Sequence, residues 1–244
     1  MGFNSTMANR EVCDLIFVDY LTKKPFLNLD YANVTTAELT GETVYAYGGK
    51  GHPKKVAFDG EKGGTLTIET QIQSFKLWEM LSGGTVTNTA KYYVHKELAC
   101  GAAGEVTITE TPVDGTVIVF AGDDDCGTPL TGTLSGTTYT ITGASVPADG
   151  DKVHVYYMKD VTNVQAINIK ATNFPKDFIV YGDTIMKSED GDILPYRMTV
   201  YKAHPQSTMS LSFSNSGDPG TVTITCDMLA DADDNIMDLI LEDE

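Results

Sequence analysis

Residues Gly64–Gly84 read GTLTIETQIQSFKLWEMLSGG, and in this stretch a strand, a helix and a glycine stop follow one another directly. Leu66 and Ile68 alternate with Thr65, Thr67 and Glu69, which is the period of a strand with one buried face, and the β-branched residues favour it. At Thr70 the period changes. Thr70 and Gln73 fit a capping box, in which the hydroxyl accepts from an orphan amide and the glutamine reaches back. Phe75, Trp78 and Leu81, with Leu77 and Leu81 as a second pair, fall at helical spacings and predict one broad apolar face. Gly83 and Gly84 supply the stop. A helix of about three turns is marginal alone, so this one, carrying the only tryptophan of the chain, is expected to lie as a lid over a sheet.

The surrounding sequence reads almost entirely as β-strand. EVCDLIFVDY at 11–20 is a strand, TKKP with Pro25 a turn, and FLNLDYANVTTAEL the next strand. Glu42–Tyr47 is another, expected to pair with Lys55–Phe58 across GGKGHPKK. In a chain with 17 basic and 34 acidic residues and a net charge of −17, that loop gathers Lys50, His52, Lys54 and Lys55. Read as structure it is an ordinary hairpin tip. Read as function it is a docking arm that meets an acidic surface on a neighbouring copy, since opposite charge at a rim steers partners into register. It does not follow the GxxxxGK(S/T) order of a phosphate loop.

After the helix, TVTNTAKYYVHKEL predicts a strand, and from Gly101 to Lys159 the composition shifts to small and β-branched residues punctuated by Gly, Thr, Asp and Pro. Val106–Thr111, Thr116–Phe120, Gly132–Leu134, Thr138–Thr142 and Lys152–Met158 are expected as five short strands of a small β-sandwich. From Val161 the earlier style returns. QAINIKATNF, KDFIVYGDTIM and ILPYRMTVYKAHP read as strands, and TMSLSFSN and TVTITCDML as a final pair across SGDPG. The organisation predicted is a discontinuous host domain, 1–100 and 160–244, with a module at 101–159 placed within it.

The acidic balance disfavours strong phosphate binding, no run of about 18 apolar residues predicts a membrane span, and the N-terminal residues lack the basic-then-apolar pattern of a secretory signal. Cys13, Cys100, Cys126 and Cys226 stand far apart with no CxxC spacing. Free thiols, buried or half-buried, are the expectation, with disulfides or a metal site as the alternatives. His52, His95, His154 and His204 are scattered, and neither a GxSxG elbow nor an HExxH helix occurs, so no catalytic set and no cofactor are predicted. Asp231, Asp233, Asn235 and Glu242 match positions one, three, five and twelve of a calcium loop, but Ile236 stands where that loop needs glycine. The segment DNIMDLILE is read instead as a last strand or short helix that buries Ile236, Leu239 and Leu241, and no metal is predicted.

Two resemblances rest on particular residues. Gly150, Asp151, Lys152 and Val153, followed by Val155 and Tyr157, resemble the closing strand of immunoglobulin-like modules found in phage virion proteins. The order of parts, closing with Gly217, Asp218 and Pro219, the strand Thr221–Asp227 and DLI at Asp238–Ile240, resembles the tail tube proteins of long-tailed bacteriophages. That resemblance implies a mostly β subunit, a β-sandwich or barrel with one flanking α-helix whose Phe75, Trp78 and Leu81 cover the outer side of a sheet. It implies self-assembly into hexameric rings stacked as a tube. DNA passes through its acidic lumen without specific binding. The partners it implies are other copies of the chain and tail sheath, tape measure, baseplate or connector proteins. The location it implies is the virion, after synthesis in the host cytoplasm. The alternative reading is a capsid decoration protein, or a receptor- or glycan-binding virion protein that uses the module as its recognition surface.

Overall fold

The computed structural model describes residues 6–211, 213, 215, 217 and 219–242. Two compact units are formed, one from 1–86 with 167–244 and the other from Thr87–Ala166. The second is wider than the 101–159 block because the strands that enter and leave the module continue as one ladder inside it.

In chain order the elements are β1 (Met7–Ala8), β2 (Asp14–Asp19), β3 (Pro25–Leu29), β4 (Val34–Tyr47), β5 (Lys54–Thr70), α1 (Phe75–Ser82) and β6 (Thr85–Ala99). After a 3-10 turn at Ala102–Gly104 come β7 (Glu105–Thr107), β8 (Ile118–Ala121), β9 (Gly132–Ser135), β10 (Thr138–Ile141) and β11 (Lys152–Asn168). The chain closes with β12 (Phe178–Ser188), β13 (Ile193–Pro205), β14 (Val222–Met228) and β15 (Met237–Leu241).

The first unit is built on one nine-stranded sheet in the order β3-β2-β12-β13-β14-β5-β4, with β1 on β12 and β15 on β13. One side of β13 is shared: Tyr196–Val200 pair with β15, and Ala203–Pro205 pair with β14. Among the described residues the sheet does not close into a barrel, because β3 and β4 end it without meeting. Alternation drives the register. Cys226, Ile224 and Val222 stand opposite Leu66, Ile68 and Thr70, and all six are buried on the same face. All but Thr70 join Leu15, Phe17, Leu29, Phe178, Val180 and Val200 in one apolar core, with Phe17 and Phe178 edge to face at 5.3 Å. A Cβ at Gly64 would strike the Glu38 carbonyl and the Met228 methyl, so glycine there permits β4, β5 and β14 to approach.

Helix α1 covers this core with Leu77, Trp78, Met80 and Leu81, while Phe75, at the first turn, stays 37% exposed. Its start differs from the expected capping box. Thr70 is fully buried as the last residue of β5, where its hydroxyl receives the Ile72 amide at 3.1 Å and lies 3.2 Å from the Tyr31 carbonyl. It therefore cannot cap. Ser74 does so, with extended dihedrals and its Oγ accepting from Leu77 N–H at 3.2 Å. Gly83 ends the helix at φ 66°, its amide donating to the Glu79 carbonyl at 3.0 Å, the left-handed stop that glycine favours.

The second unit is two three-stranded sheets, β7-β10-β9 and β6-β11-β8. They share a core of Cys100, Val106, Ile108, Val119, Tyr139, Ile141, Val153, Val155 and Tyr157. Beneath Tyr157, Glu110 is a hub. It accepts from Lys96 Nζ at 2.6 Å, the Tyr157 hydroxyl at 2.6 Å and Thr109 Oγ1 at 2.9 Å, with Lys159 Nζ at 3.4 Å. Those donors, Lys96 foremost, hold its carboxyl well below the usual carboxylate range.

Other sequence expectations are corrected. The strand predicted over QAINIKATNF ends at Asn168, where β11 stops. The described residues of TMSLSFSN form no strand, and Ser212 and Ser214 lie outside the described set, as does Asp218. Leu211 and Phe213 alternate without a core to face, at 51% and 92% exposure, and β14 pairs with β5 and β13 instead. DNIMDLILE ends in β15, but only Ile236 and Met237 pack against the core, while Leu239 and Leu241 are exposed. All four cysteines are free, with Cys13, Cys100 and Cys226 buried and Cys126 exposed. Burial pushes the Cys13 thiol up to about 11 and Cys226 to about 12.

Candidate assembly surfaces

The strand expected at Glu42–Tyr47 is the end of a far longer hairpin. β4 and β5 stay paired from Val34↔Glu69 out to Tyr47↔Lys54. Among the described residues none covers this ribbon beyond Gly41 and Gly60 within its own unit, and every residue from Lys54 to Lys62 is exposed. Its two faces differ. Val44 stands opposite Phe58 and Ala46 opposite Val56, and cross-strand partners share a face, so these four form an apolar stripe. Val44, Val56 and Phe58 are 50% exposed or more. A two-stranded hairpin is marginal in water, and one with an apolar face open to solvent needs a covering surface.

At its tip the ribbon turns through Gly49 and Gly51, both at φ 85°, and His52 at φ 47°. The turn is closed by Gly48 N–H to Pro53 O and His52 N–H to Gly49 O, each 3.3 Å. The structure thereby brings Lys50, His52, Lys54 and Lys55 to one end, all exposed. Lys54 is partly committed, its Nζ 3.7 Å over the Tyr45 ring. Lys50, His52 and Lys55 project from the tip.

Two further features belong to surfaces rather than to a catalytic centre. β4 is the terminal strand of the nine-stranded order and fourteen residues long; its sequence VTTAELTGETVYAY holds neither lysine nor proline, and the edge is blunted only by Glu38, Glu42 and the register shifts at Gly41/Thr43 and Ala46/Tyr47. On the solvent face of β2, β12 and β13, Asp183 stands directly opposite Asp14 on one side and Arg197 on the other. Arg197 is drawn to Glu242 at 2.9 Å. Exposed Ile16 pairs with Tyr181 in the next row. Like charges facing across strands are destabilising, so the Asp14–Asp183 pair is not a device of subunit stability.

The calcium-like spacing does not become a site. Asp231 Oδ1 accepts from the amides of its own turn, Asp233 at 3.0 Å and Asn235 at 2.8 Å, and Glu242 is taken by Arg197. The histidines, by contrast, are not all scattered. His95 Nε2 and His154 Nδ1 lie 3.1 Å apart, and His204 Nδ1 is 2.7 Å from Asp177 Oδ1. The signal for the first pair is YYVH at Tyr92–His95 and HVYY at His154–Tyr157, each the reverse of the other, so that antiparallel pairing can set the two histidines opposite one another.

A family model described as the YomU/Tube protein family matches residues 9–240. The chain belongs to the YomU/Tube protein family. The matched range runs through both compact units, so the second unit lies inside the family's span rather than beyond it. Membership makes the chain a phage tube-like structural protein and a virion component. No curated protein matches it. No helix among the described residues is long and apolar enough to cross a membrane.

Proposed function

We propose that this YomU/Tube protein is the tail tube subunit of a long-tailed phage, assembling with copies of itself into six-membered rings that stack into a DNA conduit. The observation that carries the reading is β4, a long terminal strand continued into a ribbon with an exposed apolar stripe. Such an edge pairs head to tail with the far side of the next copy's sheet, and a heterologous contact of this kind closes into a ring when its rotation allows. Ring closure removes the open edges that would otherwise drive aggregation. The apolar stripe is then covered by the neighbouring copy, and the basic tip with Lys50, His52 and Lys55 reaches an acidic surface of the adjacent ring.

The face bearing Asp14 and Asp183 lines the lumen. Paired acids there repel phosphate and let a duplex slide without being held, which accounts for a like-charge pair that subunit folding disfavours. The second unit is an immunoglobulin-like module in this reading. The tube's ends and outer wall meet tape measure, connector, baseplate or sheath proteins.

Negative-stain imaging of the purified protein over a salt and concentration series tests this. Rings or long hollow tubes are expected, with six-fold symmetry in end-on averages. Monomers under every condition, or a trimer that binds only a pre-formed shell or a glycan, would overturn it.

A further inference from the structure

We propose that His95, His154 and Asp125 form a binding site for a divalent first-row transition ion, zinc in particular, on the outer face of the β6–β11–β8 sheet. His95 lies on β6, His154 on β11, and Asp125 on the loop after β8, so three separate segments supply one ligand atom each. Those atoms all fall within 4.8 Å of one another.

The strands pre-position the imidazoles. Contacts pair His95 with His154, Tyr93 with Tyr156, and Glu97 with Lys152, so the two strands run in opposite directions. The buried set Val153, Val155 and Tyr157 occupies the other face. Parity therefore fixes His154 and Tyr156 outward. The Tyr156 ring stacks on His95 at 4.4 Å and meets Phe120 edge-on at 5.8 Å, which restrains the imidazole from one side. Tetrahedral zinc with bonds of about 2.0–2.1 Å to nitrogen sets its ligand nitrogens about 3.3 Å apart. The observed 3.1 Å between His95 Nε2 and His154 Nδ1 is already close to that spacing.

The carboxylate is positioned as well. The Tyr156 hydroxyl donates to Asp125, at 3.0 Å from Oδ1 and 3.1 Å from Oδ2, the kind of outer hydrogen bond that orients a ligating carboxylate. The loop is braced by Asp124, whose Oδ2 accepts from Thr128 N–H at 2.9 Å and whose carbonyl accepts from Gly127 N–H at 3.1 Å. Asp125 needs only a small inward shift to complete a two-histidine, one-carboxylate set, with solvent in the fourth position. Two imidazole nitrogens select zinc and its transition-metal neighbours over calcium or magnesium, which require oxygen. An ion here ties the loop after β8 to β6 and β11. The site is independent of the tube reading, since all its parts lie within the second unit.

The test uses the full-length protein without a histidine tag, titrated with zinc chloride by calorimetry and checked by equilibrium dialysis. Wild type is expected to bind one ion per chain. His95→Ala and His154→Ala, both at non-core positions and verified as folded by circular dichroism, should abolish that stoichiometric binding. Tyr156→Phe, which keeps the ring stack but removes the hydroxyl from Asp125, should weaken it about 10- to 100-fold. Cys126→Ser should still bind one ion, because the neighbouring thiol is not a required ligand. Failure of wild type to bind stoichiometrically, undiminished binding by the histidine variants, or loss confined to Cys126→Ser would each overturn the assignment.

Discussion

Replacing Phe58 with threonine should block assembly while leaving the subunit folded. Threonine is β-branched and suits a strand as phenylalanine does, and Phe58 belongs to neither core. With 59% of its surface exposed, and a phenylalanine presenting roughly 200 Å², about 120 Å² remains for a neighbour to cover. At about 25 cal/mol per Å² the whole of that area is worth about 3 kcal/mol per contact between copies, so with threonine restoring part of it the loss in the association constant is at most roughly 100-fold. Loss of its cross-strand partner leaves Val44 less well covered and adds to the effect. Sedimentation and light scattering against concentration should show the threshold for assembly moving up by about one to two decades, while the thermal midpoint of the isolated subunit stays close to wild type. Assembly at the wild-type threshold would show that the stripe is not an interface. A collapse of the thermal midpoint would show that the ribbon is part of the subunit's own core.

Trp78→Ala removes a side chain 9% exposed beneath α1 and should destabilise the first unit by about 3–5 kcal/mol, lowering the midpoint by about 6–20 °C; a well-folded variant unable to assemble would place Trp78 at an interface instead. Reversing Lys50 and Lys55 to glutamate should leave rings intact but shorten or abolish tubes in electron micrographs; normal tubes would refute the docking role of the tip. Glu110 has its carboxyl pKa lowered in the folded state, so its contribution to stability is present above the ordinary glutamate range, near pH 4.3, and is lost as pH falls through the folded value. The stability gap between wild type and Glu110→Gln should therefore be widest near neutral pH and shrink on acidification; a gap independent of pH would show that the hub does not act through its charge.

Where burial imposes a period, the fold was readable from the chain. Leu66 and Ile68, and Val222, Ile224 and Cys226, announce strands because each has one face in the core, and Trp78 with Leu81 announces the helix in the same way. The long ribbon is harder to read: Val44 and Ala46 alternate near its tip, but every residue from Thr36 to Thr43 is exposed and no period marks that part of the strand. VTTAELTGETVYAY therefore reads as two strands parted near Gly41, although β4 runs through that glycine with a register shift between Gly41 and Thr43. TMSLSFSN failed in the opposite sense: Leu211 and Phe213 keep strand period with nothing to pack on. Thr70 and Ser74 both suit an N-cap, and only the extension of β5 to its pairing with Val222 decides between them. The tip residues Lys50, His52, Lys54 and Lys55 were legible because they adjoin in sequence. His95 and His154 were not, because their meeting depends on a register that reciprocal YYVH and HVYY strings suggest only once β6 is known to pair with β11.

The features least favourable to an isolated subunit are also the ones that point beyond it. A long terminal β4 edge, an apolar stripe on an exposed ribbon, and Asp14 facing Asp183 each carry an unfavourable term for the isolated subunit, relieved only in part for Asp183 by Arg197 on its other side. Selection for subunit stability alone would remove them, since lysine or proline on β4, polar residues at Val44 and Phe58, and a neutral residue at Asp14 are all sterically permitted at exposed positions. Their joint presence makes sense if edge and stripe are satisfied by the next copy, while the like-charge pair remains exposed because repulsion is its use. The two kinds of site then separate under mutation. Neutralising Asp14 to asparagine should stabilise the subunit slightly and leave tube formation intact, because relief of a cross-strand like-charge pair is worth a few tenths of a kcal/mol up to about 1 kcal/mol. Thermal melting and electron microscopy of Asp14→Asn would read both, and a variant that melts earlier, or no longer forms tubes, would show that Asp14 serves folding or an interface instead.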